Sequence, residues 1–455
     1  MSGNTIVNLR RNYSNNNCIT LLAISCTETI NRLTRFVESV PSPSPQRSAL
    51  NRRCIPQDLI APRICPKKLR MSLSAIMCHN LITFSVSAIP EREWSHRYFG
   101  LSIRFKSHIE LHIGGVIMVL QGNDWLALTK ETPLEPEIPI CDPHHHFWEY
   151  RPEPAAYQRY LLRELADDIN SGHNVRSTVF VEARSSYRTD GPEEMRSVGE
   201  VEFVEAMAVA GATGQYGPSR PAAAIIGRAD LKLGERVKPV LEALQAASPN
   251  RFRGIRHSIG WDPHPDVENR EIERCLADEG YQVGARALSD MGLCLETSMY
   301  FPQMPELAAF AKSIPDLTIV LNHLGGLTRT GPYGNRDDEV METWRSGIDA
   351  VAECPNIIMK LGGIGMPRIG FDWHTRAKPV GSEEMAQSIA PFIDYSIEKI
   401  GPNRCMFESN FPVDKVSFSY NVMYNAFKRV SQSYSATERA SLFHDTAARV
   451  YRINT

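Results

Sequence analysis

The chain has 455 residues, of which 42% are apolar and 22% charged, an ordinary globular composition that excludes wholesale disorder, collagen and coiled coil. Its formal charge of −2 gives no electrostatic reason to expect nucleic acid, and by length alone it holds two to three average domains. The total hides an asymmetry: residues 1–117 carry 15 Lys+Arg against 6 Asp+Glu, which leaves 35 against 46 for residues 118–455.

The first 117 residues show no period that persists. They contain a polar run at Ser14–Asn17, the linker-like Pro41-Ser42-Pro43-Ser44-Pro45 and basic pairs at Arg10-Arg11, Arg52-Arg53 and Lys67-Lys68. Arg- and Ser-rich, acid-poor composition is also that of an organelle transit peptide. The length and the five cysteines fit better a poorly structured extension, or a stretch outside the functional protein. Gly114-Gly115 before Met118 could be encoded as a bacterial ribosome-binding site, so translation is expected to begin at Met118. Residues 118–136 then read as a lead-in and 137–455 as the working domain. The other five cysteines form no CxxC pair, and the longest apolar stretch, Ser72–Pro90, is broken by His79 and Asn80. Those features predict reduced thiols, no membrane span and a cytoplasmic protein.

Eight short apolar runs follow Met118: Ile138–Cys141, Ser177–Val181, Ala222–Ile226, Phe252–Ile255, Gly292–Leu295, Leu317–Leu321, Ile357–Leu361 and Cys405–Phe407. Amphipathic stretches lie between many of them, among them Glu235–Ala247, Met304–Ser313, Glu339–Ala352 and Glu383–Ile400, with a last helix over Thr437–Tyr451. Strand–helix alternation implies a parallel sheet with helices outside, and eight units predict a closed (β/α)8 TIM barrel. No GxGxxG follows the first run and no P-loop occurs, which weakens dinucleotide and nucleotide readings.

Working residues of such a barrel lie at the C-terminal ends of its strands. Strand 1 ends in Asp142-Pro143-His144-His145-His146-Phe147-Trp148. Alternation puts His144 and His146 on one face, suited to a divalent metal or a polarised carbonyl, with Asp142 one step deeper as a support. Strand 6 ends in Asn322-His323, strand 4 in Arg256-His257, strand 2 in Glu182, and strand 5 in Glu296 with Tyr300 beyond. Arg256 could fork a substrate carboxylate. Arg368 and His374 lie on a long loop after strand 7, while His173 and His444 read as structural. Strand 8 gives Met406-Phe407-Glu408-Ser409-Asn410-Phe411-Pro412-Val413-Asp414.

At this point the chain resembles the amidohydrolase superfamily, in the amidohydrolase-related branch that includes lactonases of sugar acids and of pyrone dicarboxylate. The matching residues, over about 137–453, are the strand 1 HxH, Arg253-Gly254-Ile255-Arg256-His257, His323-Leu324-Gly325, Lys360-Leu361-Gly362-Gly363 and Ser409-Asn410-Phe411-Pro412. The resemblance implies a hydrolase whose strand 1 and strand 6 histidines, here His144, His146 and His323, bind a divalent metal such as zinc or act on the carbonyl without one. It also implies a water-activating aspartate at position 410. That position is asparagine, which cannot take a proton from water near neutrality.

Three readings follow. Glu408, or its rivals Glu296 and Glu182, replaces the carboxylate, although Glu408 starts about 6.6 Å lower by strand rise. Alternatively, His323 is the base and Asn410 orients water. In the third reading the barrel only binds a metabolite. The expectation is a hydrolase opening a lactone or related carboxylic ester of a small, carboxylated molecule. Its catalytic residues would be His144, His146, His323, Glu408 and Asn410, with substrate held by Arg256, Tyr300, Glu296 and His374. No organic cofactor, nucleic acid or membrane partner is expected, and the oligomeric state is not readable. The alternatives are a decarboxylase or hydratase of the same superfamily, or the non-catalytic barrel.

Overall fold

In the computed structural model the chain divides into two units, Met1–Val119 and Leu120–Thr455. It describes residues 122–152 and 155–454, and upstream only the backbone of short antiparallel pairs such as Ser72–Cys78 with Leu81–Ser87. Those backbone pairs apart, the expected poorly structured extension over residues 1–117 lies outside the described residues.

The second unit is an eight-stranded parallel TIM barrel. Its strands run in chain order: β1 (Pro139–His145), β2 (Asn174–Val181), β3 (Arg220–Gly227), β4 (Phe252–Arg256), β5 (Cys294–Thr297), β6 (Ile319–Leu321), β7 (Ile357–Leu361) and β8 (Cys405–Phe407). Each pairs with its sequence neighbour, for example Glu296 with Val320, Val320 with Ile358, and Lys360 with Met406. The ring closes just beyond β8. There the Asn410 amide donates to His144 O and the His146 amide to Phe411 O, both at 2.9 Å.

All eight apolar runs are strands, because a strand buried on both faces carries apolar residues at consecutive positions. Outward-facing side chains pack beneath the helices. They include Ile225, Leu295, Leu321 and Met359, each 0% exposed. Inward-facing Val179, Ala224, Cys294, Val320, Ile358 and Met406 fill the barrel, with Tyr451 reaching in from the C-terminal segment. Each such Val, Ile or Met contributes about 1.5–3 kcal/mol by leaving water.

The helices Lys238–Ala247, Met304–Ser313, Asp337–Ala352 and Ser382–Ile400 occupy the predicted amphipathic stretches. The last helix differs from the expected single run: a π turn, Ser441–Asp445, separates Ala436–Ala440 from Thr446–Val450. Ahead of the barrel, a short helix (Gly122–Leu126) begins a strap. Trp125 donates to Arg376 O at 3.0 Å, Thr129 to Pro379 O at 2.8 Å, and Glu131 accepts from the Ser382 amide at 2.6 Å. Among the described residues no helix is long and apolar enough to cross a membrane.

Candidate active site at the strand ends

Three groups meet at the C-terminal end of the barrel. Glu408 Oε1 lies 2.7 Å from His323 Nδ1, and Glu408 Oε2 lies 2.6 Å from His144 Nδ1. The His323 backbone amide also donates to Glu408 Oε1, at 3.1 Å. The ring of His144 stands 4.7 Å from that of His323 and 4.9 Å from that of His146. The glutamate thus spans the layer that strand rise placed below the histidines. Gly362 makes its path possible, since a Cβ there would come within 2.3 Å of Glu408 Cγ. His323 and Asn410 both adopt left-handed backbone, at φ 57° and 54°. That conformation costs energy in a non-glycine residue and clusters at functional sites.

His146 points elsewhere. Its Nδ1 lies 2.8 Å from Val181 O and its Nε2 lies 3.3 Å from Asn410 Oδ1. The compact donor set is therefore His144, His323 and Glu408, whose ligand atoms lie within 4.8 Å of one another. The expected trio of His144, His146 and His323 is not this set. His145, on the opposite face, packs against Phe147 and Phe180. Asp142 supports the backbone rather than an imidazole: it accepts from the His144 amide, the Ser409 amide and the Tyr420 hydroxyl.

Two buried ion pairs flank the cluster. Lys360 Nζ lies 2.7 Å from Glu296 Oε2 and 3.4 Å from His144 Nδ1. Glu296 also accepts from Tyr451 at 2.5 Å and Asn322 at 2.9 Å. Arg256 Nε lies 2.9 Å from Glu182 Oε1, and its Nη1 is 3.3 Å from His144 Nε2. Glu296 and Glu182 are thus tied to cations, while Glu408 faces two histidines. Burial, then the charge of Lys360 or Arg256, holds His144 and His146 well below the usual histidine range; for His323 the charge is that of Arg368. Burial, offset in part by Lys360 and reinforced by Glu296, pushes Glu408 up to about 8. Glu182 stays low because Arg256 and Arg228 overcome its burial.

Lys360 pairs with Glu296 and Arg256 with Glu182, whereas among the described residues no lysine or arginine forms an ion pair with Glu408. Its Oε2 is buried and, among the described residues, has no hydrogen-bond partner, despite its closeness to His144. An orphaned carboxylate oxygen between two imidazoles fits a divalent cation, since two histidines and a carboxylate are a common zinc donor set. A second group, His257, Glu271 and Cys275, also lies within ligand reach. It is already satisfied: His257 Nδ1 accepts from the Leu231 amide, its Nε2 meets Glu271 at 3.1 Å, and Lys232 holds the other carboxylate oxygen.

The remaining expected residues are dispersed. Tyr300 donates to Glu268 O at 2.6 Å, and Glu296 is locked to Lys360. His374 sits in the turn Trp373–Thr375, and among the described residues no hydrogen bond joins it to the cluster. His173 contacts Lys428, and His444 pairs with Asp445. Sequence reasoning gave no role to Lys360, Tyr451 or Asp414. A lysine inside the apolar run Ile357–Leu361 was the one available signal, because lysine is almost never fully buried unless paired.

A family model described as Amidohydrolase matches residues 141–453. The y4mH protein of Sinorhizobium fredii is 29% identical over 339 residues, covering 70% of this chain and 99% of that protein. The L-fucono-1,5-lactonase of Burkholderia multivorans is 24% identical over 321 residues, covering 69% of this chain and 95% of the lactonase. A crystal structure of an amidohydrolase from Burkholderia multivorans with bound zinc matches at TM-score 0.54 and 24% identity, over 69% of this chain and 99% of that one.

Proposed function

The chain belongs to the amidohydrolase family, and from that premise we propose that it is a hydrolase opening a lactone or related carboxylic ester of an acidic small molecule. The observation that carries the reading is Glu408 set between His144 and His323 at the barrel mouth. The resemblance to an L-fucono-1,5-lactonase favours a lactone over other bonds. His144, His323 and Glu408 would hold a divalent metal, with zinc favoured by the zinc-bound relative. A metal so held supplies Lewis acidity and lowers the pKa of bound water.

The chain's own groups divide the rest of the work. Glu408 is the carboxylate that replaces the aspartate absent at position 410, and it accepts the proton of the attacking water; in a metal-free reaction His323, beside it, is the alternative base. Arg256, held by Glu182, keeps a positive charge next to His144, where negative charge grows on the substrate oxygen. Because the Arg256 guanidinium is already engaged, an acidic substrate is held instead by Arg228 and Arg368. Among the described residues Arg228 Nη1 and Arg368 Nε are buried without hydrogen-bond partners, and the charge of Arg368 acts on His323.

Glu408→Gln tests the reading. The variant should keep the fold and lose at least ~100-fold in kcat on a panel of sugar-acid 1,5-lactones and of lactones that carry a free carboxylate, the scale of a removed general base. Unchanged lactone hydrolysis in that variant would remove Glu408 from the mechanism. Carbon dioxide release from an aromatic acid would instead favour the decarboxylase alternative.

A further inference from the structure

The residue after the strand 8 motif that no role has yet absorbed is Asp414. It is fully buried, and no lysine or arginine pairs with it among the described residues. Its carboxyl has two neutral donors: Asn410 Nδ2 at 2.7 Å and the Gly365 amide at 2.8 Å. Its own amide returns a bond to Asn410 O at 3.1 Å, so residues 410 and 414 close one turn. Gly365 is packed onto that turn, since a Cβ there would lie 2.6 Å from Asp414 O. The far end of the Asn410 amide reaches His146 Nε2 at 3.3 Å, and the Asn410 backbone is pinned to His144 O.

Val181 O can only accept, so His146 Nδ1 carries the hydrogen, and a neutral ring then offers a bare lone pair at Nε2. Facing it with the Asn410 oxygen would set two acceptors together. A half-turn of the amide, which exchanges its oxygen and nitrogen, removes that clash. Asn410 then donates to His146, and its oxygen must accept from Asp414 as a carboxylic acid. Burial, only partly offset by its two donors, pushes Asp414 up to about 8, so its acid form is available near neutrality. The amide therefore hands on to His146 whichever hydrogen-bonding sense Asp414 imposes.

We propose that Asp414 is a positioning residue for the active site: its carboxyl fixes the Asn410 amide against His146, so that the carboxylate missing at position 410 exerts its influence from one turn further along the chain. The inference deepens the hydrolase reading and rests on it for the catalytic consequence alone. It also alters what Asn410→Asp should do. An aspartate at position 410 could accept from Asp414 through one oxygen but would turn the other on the bare Nε2 of His146, so two acceptors would meet there and that variant alone cannot restore a free metal-binding aspartate.

The test is the exchange of the pair in the full-length protein: Asn410→Asp, Asp414→Asn and the two combined. Thermal midpoint, kcat and KM on L-fucono-1,5-lactone, and the 15N resonances of the His146 imidazole are followed in each. Asn410→Asp should lower the midpoint, and the combined exchange should restore it. Asp414→Asn should cut kcat ~10- to 100-fold, the usual cost of losing a group that supports the site from outside it, because His146, whose ring stands 4.9 Å from that of His144, would lose its fixed partner; KM should hold within about threefold. The combined exchange should recover part of that kcat, and Asp414→Asn should move the His146 Nε2 resonance. Strict additivity of the two substitutions in midpoint and kcat, with His146 resonances unmoved, would overturn the proposal. If the wild type leaves lactones intact, the lactonase reading falls, and midpoint and imidazole resonances still decide this one.

Discussion

Lys360→Met removes the buried ammonium beneath the histidines. In the wild type its Nζ touches Glu296 at 2.7 Å and Pro143 O at 2.8 Å, with both charged side chains 0% exposed. Coulomb's law at 2.7 Å and an effective dielectric of 20 gives about 6 kcal/mol for the bare attraction. Desolvation of both ions offsets much of it, so the pair itself is nearly neutral to stability. Removing one partner is different. Glu296 would keep Tyr451 and Asn322 as neutral donors and lose its counter-charge. A stranded buried charge costs ~3–5 kcal/mol, a large share of the 5–15 kcal/mol that holds a typical fold. Urea unfolding of the full-length protein should therefore show a clearly lower midpoint for Lys360→Met, most of it recovered by adding Glu296→Gln. A loss under about 1 kcal/mol, or a double variant no better than the single, would refute the ion-pair reasoning.

Further expectations concern other parts of the molecule. A chain of residues 118–455 should fold and keep the activity of the full chain, which circular dichroism and a lactone assay check. Starting at residue 137 instead should lower the thermal midpoint, because the strap's buried Trp125 contributes ~1.5–3 kcal/mol and its bonds to Arg376 O and Pro379 O go with it. Glu271 is held down to about 2, chiefly by its hydrogen bond from His257 and then by Lys232 against its burial. A depressed carboxylate stabilises above its unfolded pKa, so this contribution should vanish as pH falls from about 4.5 to 2, and Glu271→Gln should flatten that part of the stability–pH curve.

The barrel was legible because buried parallel strands announce themselves as unbroken apolar runs, and each of the eight marks a strand. His144 and His323 were legible because a polar residue ending such a run has one place to point. The links among the site residues were harder to read. Strand rise put Glu408 too low, since Gly362, which clears its path, belongs to the neighbouring strand's end. Arg256 read as a free substrate anchor, while Glu182, 74 residues away in sequence, already engages it. Tyr451 meets Glu296 across 155 residues, a separation over which local pattern carries no information. The π turn at Ser441–Asp445 leaves the periodicity of the last helix intact on paper, because one widened turn shifts register by a single residue.

The central claim is that His144, His323 and Glu408 form the reacting centre, and zinc placed in a crystal of the full-length protein tests it most directly. Anomalous diffraction at the zinc edge should give one strong peak bonded at about 2.0–2.2 Å to a nitrogen of each histidine and an oxygen of Glu408, and Glu408→Gln should weaken it. No peak at that position, or a peak held by His257, Glu271 and Cys275 instead, would contradict the account.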